Sequence, residues 1–135
     1  MVTQRVHTDN PAEIAAVLRR LPPAFPDALI ILMEWRDCTV EALAEWAQTS
    51  GKTVQRLRTG QLRPTIKRAV ALSVGMLLPF ALSLEMMRKA EPYSYSEDYL
   101  AYLELLPEMY RLGWDMYQFN DALVEYGVAP IRQND

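Results

Sequence analysis

Apolar residues recur at helical spacing along most of the chain, and strand-like alternation is almost absent. Asn10-Pro11 reads as a helix start, a capping residue followed by proline at the first helical position. Ile14, Ala15, Val17, Leu18 and Leu21 would give that helix an apolar side. Pro22, Pro23 and Pro26 then predict a linker or tight corner over 21–26. Residues 28–33 are apolar on every side, so the next helix, ending near Arg36-Asp37, is expected to be buried. Thr39 is a cap candidate, and Val40, Leu43, Ala44 and Ala47 follow at i, i+3, i+4 and i+7. Residues 48–51 read as a turn. Ser50 can cap a short helix from Gly51 to about Arg58, with Val54 and Leu57 inward. Gly60 suits the left-handed position that stops it. Thr65 can cap a further helix with Ile66, Ala69, Val70, Val74 and Leu77 on its inner side. Another helix is expected from Pro79 to about Ala90. Residues 96–112 and 114–126 form two more, closed by Gly113 and Gly127. Pro107 lies inside the first of these and predicts a kink or break. The expected fold class is all-α.

Composition narrows the chemistry. The 135 residues are half hydrophobic and 23% charged, an ordinary globular balance of about one domain. Cys38 and His7 are the single cysteine and the single histidine. Neither an internal disulfide nor a Cys/His zinc site can be built from them. A catalytic triad would have to use His7, which has no recognisable context. No catalytic residue, metal ligand or cofactor is therefore expected, and the chain is not read as an enzyme. The carboxylate pairs Glu97-Asp98 and Glu104 with Glu108 read as solvated helix faces rather than acid/base groups. The longest uncharged run, 69–84, contains Ser73, Gly75, Pro79 and Ser83 and is shorter than the roughly 20 residues of a membrane span. The N-terminus lacks the apolar core of a secretory signal. A soluble, cytoplasmic protein is expected.

The net charge of −3 hides a segregation of charge. Between Glu45 and Glu85 there is no acid, and six bases occur: Lys52, Arg56, Arg58, Arg63, Lys67 and Arg68. From Glu91 onward, Arg111 and Arg132 stand against nine acids. A cationic centre of this kind points to an anionic partner.

Residues 39–64, TVEALAEWAQTSGKTVQRLRTGQLRP, lie largely within that interval. Two short helices joined by a four-residue turn have the helix-turn-helix layout. Ala44 and Ala47 supply the small residues needed where two helices cross closely. The segment resembles the Xre/Cro-type helix-turn-helix of phage repressors and related bacterial regulators. Thr39, Leu43, Ala44, Ser50, Thr53, Val54, Leu57 and Gly60 occupy the positions of that family's pattern. Arg63-Pro64-Thr65 then leads into a helix, also as in the family.

The resemblance implies a five-helix repressor-like domain over 27–90. A helical lead over 1–26 precedes it, and an acidic, Tyr-rich helical extension over 91–135 follows. It implies double-stranded DNA as partner and a homodimer reading two half-sites. The second helix of the motif would enter the major groove, with Gly51, Lys52, Gln55 and Arg56 at its N-terminal and outer positions. Of these, Lys52 and Arg56 can bind guanine, and Gln55 can bind adenine. Thr39, Thr53, Arg58, Arg63, Thr65, Lys67 and Arg68 would lie along the phosphates, helped by backbone N–H groups at helix starts. Three positions depart from the family. Val40 replaces a common Gln, Gly51 has no side chain with which to read a base, and Arg58-Thr59 replace Glu-Asn. The first two lower the expected specificity, and the third adds charge.

The extension holds all seven tyrosines, with Tyr95, Tyr99 and Tyr102 spaced along one helical side. It reads first as a helical subdomain packed on the rest. It also suits a protein partner or self-association, in an antitoxin-like or adaptor role. A third reading folds the acidic tail over the basic helix and blocks it.

Overall fold

The computed structural model describes residues 9–92 and 96–132. His7, Tyr93 and Tyr95 lie outside them. Among the described residues the chain forms eight α-helices and no strand. They are α1 (Pro11–Arg20), α2 (Phe25–Arg36), α3 (Val40–Trp46), α4 (Gly51–Thr59), α5 (Ile66–Gly75), α6 (Phe80–Ala90), α7 (Glu97–Leu112) and α8 (Met116–Tyr126). None is long and apolar enough to cross a membrane.

Side-chain caps fix most of the helix starts. Asn10, Thr39, Ser50, Thr65 and Ser96 each accept a hydrogen bond from a backbone N–H two or three residues on. This satisfies donors that the first helical turn leaves without partners. Gly60, Gly113 and Gly127 sit in the left-handed conformation at the ends of α4, α7 and α8.

Several boundaries differ from expectation. Pro26 does not belong to a linker. It stands in the first turn of α2, where a missing N–H costs nothing. Met116, not Trp114, opens α8, because Asp115 and Gln118 form a reciprocal capping box with bonds of 2.9 and 3.0 Å. Pro107 does not break α7, which runs as one helix past it. Ala101, Tyr102, Leu106 and Met109 are buried on both sides of the proline, and that packing holds the backbone helical despite the lost bond. In α1 only Val17 is buried, and Leu18 is exposed.

The uncharged run over 69–84 reads as two buried helical segments meeting near Gly75 and Pro79, and residues 69 to 75 of α5 are buried all the way round, beyond the single inner side that its apolar stripe marks. Helix α5 touches α3 and α6, and α7 and α8 also pack on it. The expected outer side is covered by the acidic extension. Its one polar core residue, Ser73, donates to the Ala69 carbonyl at 2.8 Å and so leaves no donor stranded. One cluster of buried residues runs from Val17 to Ile131.

Close approach of α5 to α3 depends on Gly75. A Cβ there would lie 3.0 Å from Leu43 Cδ1 and 3.2 Å from both the Cβ and the backbone N of Ala47. Gly75→Val is therefore expected to destabilise the fold by about 1–3 kcal/mol through overpacking. Urea denaturation measures this, and a variant as stable as the parent would show that α3 and α5 can separate without cost.

A polar junction ties distant segments together. Arg36, at the end of α2, forms a two-pronged pair with Asp9 at 2.8 and 2.9 Å. Its Nε and Nη2 also donate to the carbonyls of Met76 and Leu77 at 2.8 and 2.6 Å. Leu77 takes a left-handed φ of 49° in the α5–α6 turn. The Tyr110 hydroxyl on α7 donates to Asp9 at 2.7 Å. Burial, and then the bond to the Asp9 carboxylate, push the Tyr110 phenol above its ordinary range. The Arg36 and Asp9 side chains are only 6% and 8% exposed, so this is a buried ion pair with its polar atoms satisfied.

Candidate nucleic-acid interface

Helix α4 is short, and its start is held firmly. Ser50 Oγ accepts from the Thr53 N–H at 3.1 Å and shares a hydrogen bond with the Thr53 hydroxyl at 2.9 Å. Val54 and Leu57 are buried, and α4 packs against α2 and α3. With about 100° between successive residues, Lys52, Gln55, Arg56 and Thr59 fall on the opposite side. All four are exposed. The three residues expected to read bases thus share one outward face that carries no acid. Gly51 is not demanded by packing, since a Cβ there would meet Val40 Cγ1 at an ordinary 3.8 Å.

Arg58 turns away from that face. It lines a recess with Glu34, Asp37, Cys38 and Thr39, at the junction of α2 and α3. Its Nη1 donates to Gln55 Oε1 at 3.2 Å, while its Nε is buried without a hydrogen-bond partner among the described residues. The bond occupies one of the two lone pairs of the Gln55 amide oxygen and leaves the second for another donor. Burial, followed by the Asp37 charge, raises the Cys38 thiol above its ordinary range. That keeps the thiol protonated and a poor nucleophile.

The expected phosphate-side groups divide into two sets. Thr39, Thr53 and Thr65 use their oxygens as helix caps or cap partners. Each keeps a hydroxyl that can serve a second bond. Arg63 is exposed, and its carbonyl accepts from Arg68 Nη1 at 3.1 Å. Lys67 and Arg68 are half-buried in the first turn of α5. The backbone donor that heads this helix is already used, because Ile66 N–H donates to Glu91 Oε2 at 3.2 Å. Glu91 and Asp98 line a recess with Thr65, Lys67 and Tyr102. Acidic residues of the extension therefore reach the head of α5. The other acids noted in the sequence take surface roles, and Glu108 pairs with Arg111 on the exposed side of α7.

On the other flank of α5, a third recess is lined by the apolar Leu57, Ala71, Leu72 and Ile131 together with Gln48, Lys67, Arg68 and Arg132, among others. Ile131 is buried, and the Asn120 amide clamps its backbone. Ile131 N–H donates to Asn120 Oδ1 at 2.8 Å, and Asn120 Nδ2 donates to the Ile131 carbonyl at 3.1 Å. Gln48, Glu91 and Arg132 carry no sequence signal for these positions. Each arrives there by chain reversal, not by periodicity.

Comparison with known proteins finds no matching family model, no matching curated protein and no matching solved structure.

Proposed function

We propose that the chain is a DNA-binding transcriptional regulator in which α2 to α6 form a repressor-like helix-turn-helix unit and α4 lies in the major groove. The observation that carries this reading is the outer face of α4. Lys52, Gln55, Arg56 and Thr59 are exposed together, without an acid, on a helix anchored by Val54 and Leu57. Arginine and lysine pair with guanine and glutamine pairs with adenine in that groove. Arg63, Lys67 and Arg68 follow beside it and suit the flanking phosphates. The four-residue connection from Trp46 to Gly51 and the capped start of α4 support the same layout.

A protein contact through the extension is the second reading. Tyr117 and Val124 are seven residues apart on one side of α8 and are 71% and 58% exposed. That stripe suits self-association, which a reader of paired half-sites requires.

Salt-titrated binding to a randomised duplex pool tests the first reading. An enriched sequence is expected, with log K falling against log salt at a slope of about −3 to −5 for the cations involved. Absence of any DNA affinity at low salt would overturn it.

A further inference from the structure

Helix α8 presents an exposed face of mixed apolar and acidic character. Tyr117, Asp121 and Val124 follow at i, i+4 and i+7, with Glu125 beside them, and all four are exposed. The helix contains no base, and Glu125 stands in its last turn, at the negative end of the helix dipole. A complementary surface must supply cations together with apolar groups. Among the described cations outside the basic centre, Arg36, Arg88, Lys89 and Arg111 already stand in ion pairs, and Arg132 makes an interaction of its own. Arg19 and Arg20 remain, in the last turn of α1. Only Val17 of that helix is buried, and the side turned away from it carries Ala12, Ala15, Leu18 and Arg19. The acid of α1, Glu13, is held by the Trp35 indole at 3.0 Å. Arg19, Arg20, Asp121 and Glu125 are all exposed, so the two faces are not joined within one chain.

We propose that the chain forms a twofold dimer in which α1 of one protomer lies along α8 of its partner, with Arg19 and Arg20 set against Asp121 and Glu125. This rests on the self-association reading above and names what the α8 stripe meets. The Asp9–Tyr110 bond joins the approaches to both helices, since Asp9 lies two residues before α1 and Tyr110 six before α8. A twofold axis then makes the contact twice and closes it. In a parallel alignment Leu18 meets Val124, and Tyr117 covers Ala12 and Ala15, whose small side chains admit its ring. The contact uses neither α3 nor α4, so the face proposed for DNA stays out of it.

Sedimentation equilibrium of the full chain over a range of concentrations and salt tests this. The parent should dimerise, and more weakly as salt rises. Arg19→Glu with Arg20→Glu should raise the dimer Kd by more than about tenfold, and so should Asp121→Lys with Glu125→Lys. Mixing the two double variants should restore the dimer, because both contacts of the mixed pair again join opposite charges. Circular dichroism melts confirm that each chain is folded. An Arg19→Glu, Arg20→Glu chain as dimeric as the parent would overturn the pairing and leave self-association standing. Loss of the dimer on Lys52→Glu with Arg56→Glu instead would set α4 against α8 and overturn it too. A parent that stays monomeric at every concentration would overturn both readings.

Discussion

Reversing Lys52 and Arg56 to glutamate in one variant is expected to abolish specific DNA binding while leaving stability within about 0.5 kcal/mol of the parent. Both side chains are exposed on the outer face of α4 and neither supports the core. Lys52 is the second residue of α4, where a carboxylate favours the positive end of the helix. Arg56 lies in the last turn, where the reversal costs a similar few tenths. The two effects on folding nearly cancel. Binding has no such compensation. On the proposed docking of α4, two base-edge contacts worth about 1–3 kcal/mol each would be lost, and two new negative charges would face the phosphates. The loss at low salt should exceed about a hundredfold. Fluorescence anisotropy on the selected duplex measures the affinity, and thermal melting measures the fold. A variant that keeps parental affinity would remove α4 from the interface.

Arg36→Met is expected to cost about 3–5 kcal/mol of stability, the penalty for removing one partner of a buried ion pair. Methionine fills much of the same space, so the loss comes from electrostatics more than from a cavity. The Asp9 carboxylate would keep only the Tyr110 hydroxyl among these partners. The Met76 and Leu77 carbonyls would lose the donors that the guanidinium supplies. Adding Asp9→Asn should recover part of the loss, because the stranded charge is then gone. Urea midpoints for the two variants decide the matter. A single variant within about 1 kcal/mol of the parent would mean that the junction contributes no more than an exposed pair.

Features written locally in the chain could be read from it. The caps at Asn10, Thr39, Ser50 and Thr65 each involve residues at most three apart, and all four lie where the pattern puts them. The outward face of α4 followed from Val54 and Leu57 facing in. Features that depend on a distant segment could not be read. Periodicity shows that α5 has an apolar side, but not that α7 and α8 bury the other one. Proline chemistry predicts a kink or break in α7, and only the packing around Leu106 and Met109 shows why the helix is not broken. Arg36 reads as an ordinary helix end until Asp9 and Tyr110 arrive from opposite ends of the chain. The recess lined by Ile131 likewise needs the C-terminal segment, which Asn120 holds by two hydrogen bonds.

The Asp9–Arg36–Tyr110 junction also carries its own optical reporter. The Arg36 guanidinium lies 4.1 Å from the centroid of the Trp35 ring, and the Trp35 indole donates to Glu13 at 3.0 Å. Asp9 and Tyr110 stand 101 positions apart, so their bond closes a very long loop. Such a closure is entropically demanding and should follow the pairing of α2 with α4. With Trp46 and Trp114 replaced by phenylalanine, the emission of Trp35 would follow the docking of α1 on α2 through Glu13 and the setting of Arg36 over the indole. A Trp35 signal unchanged in Arg36→Met would show that the indole does not sense the junction.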